Sequence, residues 1–184
     1  MGRWEPDARG RMTRAALELF AERGFEQTTA CDIAERAGVT ERTFFRHFAD
    51  KREVLFDGSE SLVRTAREAI LAAPDLPPFD AALVGVVAAT DLLEGHREHA
   101  AHRARIIEAN PGLRERELLK IAALADLTTE ALRTRGVAEP AAALAAHSAV
   151  AVFQVAFARW VAEEQRADLA TCVAETAAAL RALV

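Results

Sequence analysis

A chain of 184 residues is long enough for one large or two small domains and for a sizeable core. Apolar residues make up 51% of it, with Ala prominent and Tyr absent, which favours helices over sheets. The net charge of −5 argues against a general polyanion binder.

Met1 to Pro6 reads as a short frayed arm. It has no signal-peptide layout, and no apolar run in the chain reads as long enough to span a bilayer, so a cytoplasmic protein with no membrane partner is expected. Helix 1 is predicted from about Asp7 to Arg23. Met12, Ala16, Leu19 and Phe20 form its apolar stripe. Gly24 ends it, and Phe25 folds back as a hydrophobic plug.

Two short helical patterns follow between Thr28 and Lys51, broken by Ala37-Gly38-Val39-Thr40. Thr29 can cap the first, with Asp32 in its first turn, where an acid favours the positive end of the helix dipole. Ile33, Ala34 and Ala37 recur at helical spacing on its buried face. Gly38 is a natural left-handed stop. Thr40 caps the second pattern, and Phe44 and Phe48 bury one side of it. The other side carries Arg42, Thr43, Phe45, Arg46 and His47. This is the layout of a helix-turn-helix, whose second helix enters the major groove of DNA. Residues 1–52 hold 10 basic and 9 acidic side chains and the remainder 13 and 19, so the reading region is slightly basic on an acidic protein. Arg3, Arg9 and Arg11, in or near the arm, are either minor-groove or phosphate contacts or solvated charge.

Thr29, Ile33, Ala34, Ala37 to Thr40, Thr43, Phe44 to Phe48 and Lys51 resemble the DNA-binding domain of the tetracycline-repressor (TetR) family. The helix before them, Ala15 to Phe25, is similar too, so the resemblance covers roughly residues 10 to 57. The family usually has Tyr at the position of Phe45, with its hydroxyl on a DNA phosphate; Phe45 lacks that group.

Asp50 can cap helix 4, with Glu53 reaching back. Helix 4 is expected to run unbroken to about Ala73, one rod belonging to both domains. Pro74 to Pro78 is the clearest breaker. Helix 5, about Phe79 to Glu94, is apolar nearly all round and so central. Gly85 inside it is either a neutral core glycine or room for a neighbour or ligand. Helix 6 covers about His96 to Ala109, and Asn110-Pro111 starts helix 7, which Gly136 stops. Helix 8 reaches from near Pro140 to about Glu164, and helix 9 from about Asp168 to Val184. The division is a DNA-binding helix-turn-helix domain over 1–52 and a helical ligand-binding and dimerisation domain over 53–184, all-α throughout.

His96, His99 and His102 drift round a helix by 60° per step and do not converge on a metal. Cys31 and Cys172 stand in no metal or redox spacing and read as small buried hydrophobes. No histidine has Glu three residues before it, and no nucleophile elbow or dinucleotide fingerprint is present. Catalysis, a cofactor and a bound metal are therefore not expected.

Helices 8 and 9 carry apolar residues on several faces, with small residues such as Ala174 and Ala177. They read as either a homodimer four-helix bundle or an ordinary core, and a reader of paired half-sites favours the dimer. The resemblance implies a C-terminal domain that holds an inducer and dimerises. The stretch from His102 to Arg116 is similar to an actinobacterial subgroup with acyl-CoA-like ligands. Candidate ligand-binding residues are Val87, Thr90, Arg103, Ile107, His147, Phe153, Gln154 and Phe157. Candidate contacts to double-stranded operator DNA are Arg42, Thr43, Phe45, Arg46 and His47 in the groove, with Thr29, Thr40, His47 and Lys51 on phosphates. The expected protein is a dimeric regulator, a repressor released by a small apolar or acyl-type inducer. The rival is a helical binding protein that no longer reads DNA.

Overall fold

A computed structural model describes residues 7–162 and 167–183. Among them every regular element is helical. The helices are α1 (Ala8–Arg23), α2 (Ala30–Arg36), α3 (Glu41–His47), α4 (Ser59–Ala72), α5 (Pro78–Thr90), α6 (Arg97–Glu108), α7 (Pro111–Thr134), α8 (Ala141–Ala162) and α9 (Leu169–Arg181), with a 3-10 turn at Glu53–Phe56. The chain forms two compact units. One gathers the described residues up to Gly58 with His102–Arg114, and the other takes Ser59–Ala101 and the described residues from Glu115 onward.

The first unit closes around Phe44 of α3. Met12, Leu19 and Phe20 of α1 and Ile33 of α2 pack with it, as do Val54, Leu55 and Phe56 of the 3-10 turn. Ile106 and Ile107 of α6 and Leu113 of α7 join the same core. Each fully buried Leu, Ile or Phe contributes about 1.5–3 kcal/mol, so this short helix trio is held by tertiary packing rather than by helix propensity. The helix expected to run from Asp50 to Ala73 is broken. Asp50 accepts from the backbone of Arg52 and Glu53 at 2.7 and 3.2 Å, but the cap position itself falls on Arg52. The element it opens is only the 3-10 turn, and Gly58 then adopts φ 84°, a left-handed conformation in which a side chain would be strained. Asp57 beside it is drawn to α1, accepting from Arg9 Nε at 2.6 Å and from the Thr13 hydroxyl at 3.1 Å. The expected single rod is not formed.

In the second unit α4 and α5 approach closely, and Gly85 is the reason. A Cβ there would lie 2.6 Å from Ile70 Cγ1 and 2.8 Å from the Ala66 carbonyl oxygen. The glycine makes room for a neighbouring helix. Helix α5 stops at Thr90, short of the expected Glu94, and the Thr90 hydroxyl donates to the Val87 carbonyl at 2.7 Å. Helix α8 packs on α5 and α9. Ala142, Ala145, Ala146, Ala149 and Ala156 are buried along it, small enough to let the neighbours in. Arg135, just past α7, caps the end of α4, donating to the carbonyls of Ile70, Ala73 and Pro74 at 2.9, 2.6 and 2.6 Å. The Glu94 carboxylate accepts from the Leu169 amide at the start of α9.

Two sequence expectations change here. Among the described residues α8, at 22 residues, is by length and composition apolar enough to cross a bilayer. Val150, Val152 and Trp160 on it are buried among other helices, and a helix covered on several sides needs that much apolar surface. Cys31 is exposed, because it sits on the outer side of α2 beside Glu35; Cys172 is buried as expected.

Candidate nucleic-acid interface

The reading element is α2, a tight turn and α3. Thr29 and Asp32 form a reciprocal capping box. The Asp32 amide donates to Thr29 Oγ1 at 3.1 Å, and the Thr29 amide donates to Asp32 Oδ2 at 2.8 Å. The hydrogen bonds from Thr29 hold the Asp32 carboxyl below its ordinary range. Gly38 turns the chain with φ 68°, and Val39 N–H closes the turn on the Ala34 carbonyl at 2.9 Å. Thr40 then caps α3, accepting from the Thr43 amide at 3.2 Å.

Phe44 is fully buried and anchors α3, while Phe45 next to it stays 52% exposed. Their rings meet edge to face, centroids 5.4 Å apart, which fixes the direction of the exposed ring. Arg42 and Arg46 are exposed, with Thr43 and His47 half-buried beside them. Other arginines of this unit are committed within the fold. Arg9 pairs with Asp57, Arg36 with Glu18 and Glu22, and Arg52 with Asp50. No ion pair joins Arg42 or Arg46 to another described residue, so α3 offers two unneutralised guanidinium groups one turn apart. An arginine reads guanine through two hydrogen bonds, to O6 and N7.

The phosphate candidates are placed less simply. Thr40 is exposed, with its hydroxyl 3.0 Å from that of Thr43. The Thr29 hydroxyl is engaged with Asp32. Lys51 Nζ donates to the carbonyls of Phe25, Glu26 and Thr28, so its three N–H groups have protein acceptors. The arm residues also differ from the basic-contact reading. Arg9 is paired with Asp57, Arg11 Nε donates to the Ala37 carbonyl at 3.1 Å, and Arg3 lies outside the described residues.

The candidate ligand residues fall in both units. Ile107 is in the core of the first unit, and Arg103 is there too, donating Nε–H to the Leu55 carbonyl with its guanidinium 5.2 Å from the centre of the Phe56 ring. These contacts join residues 48 and 47 apart, and no local pattern announces them. Val87 is 39% exposed and Thr90 fully buried. Phe153 and Phe157 are half-buried, 5.8 Å apart, and continue to Trp160 at the same spacing. His147 and Gln154 are exposed on the outer side of α8, because the inner side is filled by its buried alanines.

The model of bacterial regulatory proteins of the tetR family matches residues 13–57, and the model of the MftR C-terminal domain matches residues 76–184. The chain belongs to the tetR family. Among curated relatives, the transcriptional regulator TcmR of Streptomyces glaucescens is 39% identical over 116 residues, 57% of this chain and 50% of that protein. The transcriptional repressor KstR2 of Mycobacterium tuberculosis is 43% identical over 47 residues, 26% of this chain and 24% of that protein. The alignments thus span half or less of these relatives' length. Among solved structures, FadR of Thermus thermophilus, a TetR-family repressor in complex with lauroyl-CoA, is 28% identical. That likeness covers 94% of this chain and 93% of FadR at a TM-score of 0.56. The tetR match takes in α2, the turn and α3 whole, so the helix-turn-helix expected from the sequence lies inside the region the family shares.

Proposed function

We propose that this TetR-family protein is a ligand-responsive transcriptional regulator that binds a palindromic operator as a homodimer and leaves it when a small molecule binds. The observation that carries the reading is the exposed couple Arg42 and Arg46, unpaired among the described residues, on a capped helix that Phe44 anchors. The DNA-binding part is residues 1–52, with Thr43, Phe45 and His47 beside the arginines and Thr29 and Thr40 near the backbone. Residues 53–184 take the ligand and the partner.

Leu144, His147, Ala151, Gln154, Val155 and Ala158 form one exposed face of α8, and Ala174 and Ala178 are exposed on α9. Leu144 at 65% and Val155 at 52% exposure are apolar groups that a second copy would cover. His147 and Gln154 then belong to the pairing face. The ligand packs against Val87, Phe153 and Phe157, an apolar surface that fits an acyl chain, as the lauroyl-CoA held by the Thermus FadR suggests. A gel shift with the DNA upstream of the protein's own coding sequence tests operator and ligand together, when repeated with a panel of acyl-CoA species. A retarded complex with two chains per duplex, dissolved by an acyl-CoA, is the expected result. No retardation, or retardation of any duplex alike, favours the helical binding protein that does not read an operator.

A further inference from the structure

Lys51 is the first basic residue beyond the end of the reading helix, and its charge suggests a phosphate. Its surroundings are of another kind. The ammonium is held by the carbonyl oxygens of Phe25, Glu26 and Thr28 at 2.8, 3.3 and 2.9 Å. The ring of Phe25 lies beneath it, with its centre 4.4 Å away. An ammonium has three donors and no acceptor, so three carbonyls and a ring face complete its shell. Those carbonyls all belong to the link between α1 and α2. Thr28 in that link is fully buried, its hydroxyl donating to the Gly24 carbonyl at 2.9 Å, and the next residue is Thr29, the cap of α2. A cation placed on these carbonyls pulls the start of α2 against the segment beyond α3. It closes the helix-turn-helix from both ends.

We propose that Lys51 is a positioning residue that sets α2 and α3 relative to α1 through the Phe25–Thr28 carbonyls, and that it neutralises no DNA phosphate. The proposal rests on the DNA-reading function above, but one arm of its test does not.

The first arm uses the unaltered full chain. Brief acetylation with an N-hydroxysuccinimide ester, read by peptide mass spectrometry, gives the rate at Lys51 relative to free Nα-acetyllysine. It is run with and without operator duplex. The expected result is a rate lowered roughly tenfold or more in the free protein and not lowered further by DNA. Rapid labelling in the free protein, suppressed by DNA, overturns the proposal. If the protein bound no DNA at all, the free-protein rate would still decide the staple, so the two failures are distinguishable.

The second arm measures operator and random-duplex affinity for Lys51→Met and Arg46→Gln against salt, at a temperature where circular dichroism shows both variants folded. Removing one phosphate contact makes the slope of log K against log salt shallower by about 0.9. Lys51→Met is expected to keep the wild-type slope on both duplexes while its operator-to-random ratio falls about tenfold, the size expected when a well-made base contact is displaced. A shallower slope with an unchanged ratio assigns Lys51 to a phosphate and overturns the proposal. An unchanged slope with an unchanged ratio also overturns it, since Lys51 would then serve stability alone.

Discussion

Arg11 and Ala37 are joined across the reading unit: the guanidinium Nε–H of Arg11 in α1 donates 3.1 Å to the carbonyl of Ala37, the residue that closes α2. The last carbonyls of a helix have no partner within it, and this one is taken by a charged donor. The contact sets the distance between α1 and the turn from which α3 departs. Arg11→Ala is therefore expected to lower unfolding free energy by about 1–2 kcal/mol, measured by urea titration. An unchanged midpoint would mean that solvent satisfies Ala37 equally well.

Phe45 presents an exposed ring where the family usually carries a tyrosine. Because the ring is half in solvent and held edge-on by Phe44, Phe45→Tyr adds a hydroxyl without disturbing packing. Operator affinity is expected to rise about fivefold, the worth of one net hydrogen bond of about 1 kcal/mol, with the unfolding midpoint unchanged. Fluorescence anisotropy on the labelled operator reads the first quantity and thermal denaturation the second. Equal or weaker binding by the tyrosine variant would show that the para position of the ring does not face a phosphate.

The small residues of α9 divide into two groups. Ala174 is exposed, whereas Ala177 is 2% exposed and part of the chain's own core. From sequence both read as either interface or core alanines, and Ala177 lies in the core. Val155→Glu or Ala174→Glu should give a folded monomer in sedimentation at micromolar concentration. Ala177→Glu should not fold, because an unpaired buried carboxylate costs several kcal/mol. A folded dimer carrying Val155→Glu and Ala174→Glu together would place the pairing surface elsewhere.

Gly85 has no room for a side chain. Gly85→Ala sets a methyl against the Ala66 carbonyl and Ile70, and backbone yields less readily than a side-chain end. The gain in helix propensity, about 1 kcal/mol, is opposed by overpacking of about 1–3 kcal/mol. A net loss of stability is expected by urea titration, and a gain would mean that α4 and α5 separate at little cost.

The helix-turn-helix was legible because every signal for it is local. Thr29 with Asp32, Gly38, Thr40 with Thr43, and Phe44 with Phe48 each act within a few residues, and the structure realises each of them. The break before α4 was not legible, because it depends on Asp57 reaching Arg9 and Thr13, 48 and 44 residues away. The second unit was partly legible. Periodicity shows that α8 has apolar residues on several faces, but not which face meets the chain's own core. The buried alanines answer that, and they turn His147 and Gln154 outward. Charge alone does not show the partners of Arg9, Arg11 and Lys51, whose basic side chains meet backbone carbonyls and a carboxylate of the fold.

The proposed regulatory function rests on α3 reading DNA. Selection of bound duplexes from a randomised pool, and sequencing of the survivors, reports this directly, since the pool contains every candidate half-site. The wild-type protein is expected to enrich an inverted repeat, one half-site per chain. Arg42→Ala and Arg46→Ala are each expected to relax the preference for guanine at one position per half-site, at a cost of about 1–3 kcal/mol. Enrichment of no motif, or the same motif with undiminished guanine preference in both arginine variants, would contradict the placement of α3 in the groove.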